Sequence, residues 1–170
     1  MIQSLIKNII QQCSHWHSQN LLWFEHSKFD LESLEDLTTK LVYHNYCIWH
    51  FIEGYQDPDT QKVNFVYLGG LEHNRYRNDT IELIDNIFIN NFQVNEGPYN
   101  SETLGSILDR ISNCVIKISH LKENNDSRVE LIETQLTFLT NCAIELLNDM
   151  QSGKRQITNF SRFKTSGYVK

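Results

Sequence analysis

The sequence predicts an all-α protein, a single-domain helical bundle of about five helices with a short basic-aromatic C-terminal segment. Three observations carry that expectation. Apolar residues recur every three to four positions along most of the chain. Only two prolines and seven glycines punctuate it. A hydrophobic fraction of 40% with 21% charged residues is the balance of a chain that builds a core, neither disordered nor membrane-embedded. With 170 residues, one core and therefore one domain over 1–170 is the default.

The elements follow in order. Leu5, Ile6, Ile9, Ile10, Cys13 and Trp16 form a stripe that predicts an amphipathic helix over 2–18, so that 1–30 is this helix and a connector. A second helix is expected over 32–55 and a third ending near 90. Within that third stretch, "KVNFVYLGG" alternates Val63, Phe65 and Tyr67 and ends in Gly69-Gly70, which fits either a short strand or a kinked helix, with a break in the chain left open. Leu104, Ile107, Leu108, Ile111, Val115 and Ile118 predict a helix over 103–123, with hydroxyls at 101 and 103 to cap it. Leu131, Leu136, Leu139, Ala143, Leu146 and Leu147 predict another over 128–151, with Asp126 and Ser127 before it and Gly153 just past its end.

A net charge of -6 and a pI near 5.6 argue against nucleic acid as a partner, because backbone binding needs a broad basic surface. The exception is local: "GKRQITNFSRFKTSGYVK" holds Lys154, Arg155, Arg162, Lys164 and Lys170 among aromatic residues and no acid. It reads as an anion-binding tail or as a frayed cationic end. No run approaches the roughly 20 apolar residues of a membrane span and no signal-peptide pattern opens the chain, so no membrane insertion and a cytoplasmic location are expected. Four scattered cysteines suggest neither a zinc pattern nor a disulfide framework and read as small core residues.

Three constellations carry possible chemistry. In "NYCIWHFIEG", Asn45, Trp49, His50 and Glu53 fall at helical spacings, where a histidine and a glutamate three apart can share a metal or pair for proton transfer. In "RNDTIELID", Asp79, Glu82 and Asp85 recur every three positions beside Arg77; such carboxylates are solvated, ion-paired or neutralised by a hard cation such as Mg2+ or Mn2+. In the fourth helix, Ser106, Arg110, Asn113, Lys117 and His120 wind a polar ribbon opposite an apolar face. Its cations suit phosphate, or the acids of the third helix.

These blocks, "NYCIWH", "RNDTIELID", "NSETLGSILDRISNCVIKISH" and "NFSRFK", taken in order, resemble the bacterial family catalogued as domain of unknown function 4254, over about residues 40–165. The resemblance implies an all-helical cytoplasmic protein. It marks Asn45, Trp49, His50, Glu53, Arg77, Asp79, Glu82, Asp85, Ser101, Glu102, Gly105, Ser106, Asp109, Arg110, Lys117, His120 and Lys164. The chain departs from the family pattern at Ile52, where an acid is common, at Leu104, where proline is usual, and at Phe160 in the tail motif.

Two functional readings result. In the first, the protein is a metal-assisted enzyme or binder acting on a phosphorylated small molecule, a nucleotide or nucleotide sugar. Glu53, Glu82 and Asp85 would hold the cation, and His50, Glu82 and His120 would be catalytic. Asn45, Trp49, Arg77, Asp79, Glu102, Ser106, Arg110, Lys117 and Lys164 would bind the ligand. The expected geometry has Asp79 and Glu82 facing Arg110 and Lys117, with His50 at the rim. In the second, the chain is a non-catalytic interaction module, possible as a homodimer, that serves a cell-envelope glycan enzyme. Trp16, Trp23 and Phe24 with the N-terminal stripe would supply its contact surface, unless that stripe is simply core.

Overall fold

In the computed structural model of the chain, the described residues are 1–19, 33–54, 60–92 and 97–157, with side chains described for all of these except 17–19, 53–54 and 60–66. They form five helices, α1 (Ile2–Gln19), α2 (Leu34–Gly54), α3 (Thr60–Asn91), α4 (Leu104–Glu123) and α5 (Val129–Gln151). The all-α bundle is therefore as the sequence predicts. Among the described residues, pairing between extended segments is limited to an isolated parallel bridge between Tyr99 and Gln156. No helix of the described residues is long and apolar enough to cross a membrane.

Ascending contacts give the helix directions. Ser4 reaches Glu35, Asn8 reaches Thr38 and Thr39, and Trp16 packs on Tyr43 and Tyr46, so α1 and α2 run parallel. Asn45 meets Asp109 while Trp49 meets His120, so α2 and α4 are parallel as well. The α2–α3 and α4–α5 pairs are antiparallel hairpins: His44 faces His73, Phe51 packs near Gly69, and Lys122 pairs with Glu133 at 2.8 Å. The core between them holds Ile9, Leu41, Ile84, Phe88, Leu108, Ile111, Ile116 and Leu146, all under 3% exposed. Fully burying a side chain of that size contributes roughly 1.5–3 kcal/mol, so this core, and not helix propensity, holds the bundle together. Trp16 and the stripe from Ile2 to Cys13 lie in it, with Ile10 alone of the six predicted stripe residues exposed. The contact-surface reading of Trp16 is thereby corrected; Trp23 and Phe24 lie outside the described residues.

Local chemistry sets the ends of α4. Thr103 Oγ1 accepts from the Ser106 N–H at 3.1 Å, the expected hydroxyl cap. At its other end the chain turns through Asn125 at φ 50, and Asp126 accepts the Arg128 N–H at the start of α5. Gly153, at φ 71, follows α5 in the left-handed conformation that glycine adopts without penalty. Beyond it, Gln156 N donates to Pro98 O and Asn100 N to Gln156 O, so the segment after α5 is laced to the loop before α4.

The alternatives left open at Gly69-Gly70 resolve to helix: α3 runs without a break through both glycines. A Cβ at Gly69 would lie 2.5 Å from Phe51 Cζ. The missing side chain thus lets the Phe51 ring sit directly on α3, and glycine there serves helix packing instead of a turn. The register of the continuous hairpin puts His50 level with roughly residue 69, so Glu82 lies about 20 Å further along the axis.

Candidate functional site

The polar centre of the described residues lies where α2, α3 and α4 meet. Asp109 projects from the margin of the apolar face of α4. From α2, Asn45 Nδ2 donates to Asp109 Oδ1 at 2.8 Å and to Ser112 Oγ at 3.2 Å. From α3, Arg77 Nε stands 3.8 Å from the same Asp109 oxygen, with its side chain 25% exposed against 16% for Asp109. Asn45 is 2% exposed, and its Oδ1 has no hydrogen-bond partner among the described residues; nor has the buried Arg77 Nε. Burial pushes the Asp109 carboxyl above the usual carboxylate range, while the Asn45 hydrogen bond and the Arg77 charge oppose that shift. The acid therefore faces, at ion-pair distance, an arginine whose side chain is a quarter exposed.

Along the exposed edge of α4, next to this cluster, stand Arg110 and Lys117, two turns apart, with half-buried Ser106 and Asn113 between edge and core. Burial raises the Cys114 thiol pKa, and the fields of Lys117 and then Arg110 lower it, so both cations act on one stretch of α4. Arg110 Nη1 is ion-paired to Glu102 Oε1. Further along, the His120 ring stacks on Trp49, with centroids 5.0 Å apart and planes at 19°, and meets the His50 ring edge-on at 5.3 Å. His120 Nδ1 is 3.9 Å from Glu123 Oε2, and Tyr46 lies 4.4 Å from His50, centroid to centroid.

The structure thus gathers Asn45 with Arg77, and Trp49 with His50 and His120, but it does not assemble the expected site as a whole. Glu82 falls on the far side of the Asp109 level from His120, so the catalytic set of His50, Glu82 and His120 is split by about 24 Å of helix axis. The metal set is split too: Glu53 is in the last turn of α2, at the opposite end of the α2–α3 hairpin from Glu82 and Asp85. Among the described residues no three His, Cys, Asp or Glu side chains come together to hold a metal ion. Asp85, 6% exposed, has a different task in hand: its Oδ1 accepts the Gly105 N–H at 2.7 Å, satisfying the first turn of α4. A Cβ on Gly105 would lie 2.7 Å from that oxygen and 2.8 Å from Ile81 O, which is why glycine stands there.

The predicted facing of Asp79 and Glu82 on Arg110 and Lys117 is corrected in the same way. Asp79 is exposed and Glu82 half-buried; Arg110 pairs with Glu102 of its own helix entrance; Lys117 lies about 15 Å along the axis from the level of Asp79. Lys164 lies outside the described residues. Sequence reasoning assigned no role to Asp109, Ser112 or the His44–His73 pair. The family resemblance marks Asp109 without a role, and a second signal was a carboxylate wedged between Ile107, Leu108 and Ile111, where a solvated acid is out of place.

Fold and site together define a helical-bundle protein with a polar seam built between three of its helices. The chain belongs to a protein family of unknown function, DUF4254, which matches residues 35–158. No curated protein and no solved structure matches it.

Proposed function

We propose that this protein binds a small phosphorylated molecule, a nucleotide or nucleotide sugar, along the exposed edge of α4 beside Arg77. The observation that carries the reading is the Arg77 side chain, 25% exposed and backed at 3.8 Å by half-buried Asp109. An arginine so held loses little conformational freedom when it forks onto phosphate oxygens. Arg110 and Lys117 extend the cationic edge, and Ser106 and Asn113 offer neutral donors. His120 stands one turn beyond Lys117, so a phosphate on Lys117 would lie near the imidazole, the group best placed to move a proton, with Trp49 behind it. Mg2+ or Mn2+ would arrive with the ligand's own phosphates, not in the Glu53–Glu82–Asp85 set.

Thermal shift with a panel of nucleotides and sugar nucleotides, with and without Mg2+ or Mn2+, tests this. A ligand at a hundredfold its Kd stabilises by about 2.7 kcal/mol, a rise of roughly 5–10 °C in Tm for a domain of this size. Arg77→Gln and Lys117→Gln should abolish the rise. A melting temperature unmoved by every phosphate compound overturns the reading.

The second reading, an interaction module, is favoured by Leu131 and Phe138, 67% and 65% exposed and two turns apart on α5. If this face joins two copies or docks on an envelope-glycan enzyme, Phe138→Glu should dissociate the complex in size-exclusion chromatography with light scattering. A wild type that is monomeric and retains no such enzyme counts against it.

A further inference from the structure

We propose that His44 and His73 form a proton-limited clasp that sets the pH range over which the α2–α3 hairpin holds its register, and thereby holds the Arg77 site together. Their Nδ1 atoms lie 2.9 Å apart across 29 positions of sequence. At that distance one ring donates its N–H and the other accepts through its lone pair. The pair can take one extra proton, on the outer nitrogen of the donor ring. A second extra proton has to occupy the accepting lone pair, which sets two N–H groups head to head. In the unfolded chain nothing prevents both rings from charging near pH about 6.5. The folded pair therefore binds fewer protons than the unfolded chain in acid.

The surroundings reinforce the limit. His44 is 3% exposed, Tyr76 stacks on it at 5.5 Å, and Tyr43 and Phe51 close on His73 at 5.8 and 5.5 Å. Among the described residues of α2 and α3, the titratable and charged groups within a turn of the pair are Lys40, Tyr43, Tyr46 and Cys47 on α2 and Glu72, Arg75, Tyr76 and Arg77 on α3. Of these, Glu72 accepts from Tyr76 Oη at 3.0 Å and Arg75 lies over the Tyr76 ring at 5.0 Å. Asn45 follows His44 directly, and Arg77 is one turn beyond His73, so a shift of the hairpin register displaces both from Asp109. The consequence for ligand affinity rests on the proposed function, whereas the clasp itself does not.

The sign follows from proton counting: the folded pair's second uptake is depressed, so its stabilisation is complete above about pH 6.5 and falls as the pH drops, by up to tenfold in the folding constant per pH unit. Urea unfolding of the full chain between pH 5 and 8 reads this directly. Wild type should show the acid loss, and His73→Gln, which keeps a polar group but removes one titration, should show a slope shallower by that one proton. Equal slopes overturn the clasp. Should His73→Gln not fold, NMR of the wild type decides: a nitrogen–nitrogen coupling across the two Nδ1 atoms at pH 7.5 that vanishes by pH 5 supports it, and its absence at pH 7.5 overturns it. If the stability slopes behave as stated while no phosphate compound binds at any pH, the proposed function fails and the clasp stands.

Discussion

Asn45 Nδ2 donates to Asp109 Oδ1 at 2.8 Å, joining the middle of α2 to the second turn of α4 across 64 positions of sequence. Asn45 Oδ1 points elsewhere and has no partner among the described residues, so the amide is committed to holding the acid. Asn45→Ala should leave Asp109 with less support for its charge and cost about 1–3 kcal/mol in urea unfolding. An effect under a few tenths would show that the contact is incidental.

The pH dependence of Asp109 runs opposite to that of an ordinary ion-paired acid. Burial, the largest cause, raises its folded pKa above the unfolded value of 3.8. The folded state thus holds the proton more tightly, and this contribution is present at low pH and lost as pH rises from there through the raised folded pKa. Asp109→Asn removes the ionisation. Its stability relative to wild type should therefore improve between pH 4 and pH 7, while ligand binding through Arg77 weakens. Urea unfolding at the two pH values checks the first part and thermal shift the second.

Asp85 and Gly105 form a matched pair, and substitution separates capping from metal binding. Asp85→Asn keeps an acceptor for the Gly105 N–H and should cost under about 1 kcal/mol, whereas Asp85→Ala strands that buried donor at about 1–3 kcal/mol. Gly105→Ala forces a methyl against Asp85 Oδ1 and Ile81 O and should cost about 1–3 kcal/mol or more. Equal losses for the Asn and Ala variants of Asp85 would refute the capping role.

Gly69 makes a testable contrast with helix propensity. In an exposed helix Gly→Ala gains about 1 kcal/mol, but here the new methyl meets the Phe51 ring. Gly69→Ala should destabilise the wild type and stabilise a Phe51→Ala background. A double-mutant cycle with no coupling would show that the ring moves aside freely.

The thiols of Cys13 and Cys47 are pushed up to about 11 and about 12, in both cases mainly by burial. Both stay neutral at pH 8 and should resist alkylation in the folded protein, reacting only with unfolding. Mass spectrometry after brief iodoacetamide treatment, with and without urea, reads the difference; rapid native labelling of either would contradict it.

Much of this molecule is legible in local pattern. The ranges predicted for α1, α4 and α5 fall within a residue or two of those observed, because each carries an apolar stripe, and α4 and α5 a capping signal at an end as well. The polar blocks were visible too, but not their partners. Arg77 and Arg110 look alike in sequence, yet one leans on an acid of another helix while the other pairs with the entrance of its own. Asp85 looks like the last of three solvated acids and proves to be a buried cap.

The amino-acid order by itself determined that the chain forms helices, which faces they bury and where a polar seam has to lie, since periodicity and capping act over a few residues. Only the tertiary structure decided that α3 passes unbroken through Gly69, that Asn45 holds Asp109, and that His50 and Glu82 stand far apart. Those outcomes depend on hairpin register and on which rings fit against which backbone, and packing between segments distant in sequence settles both.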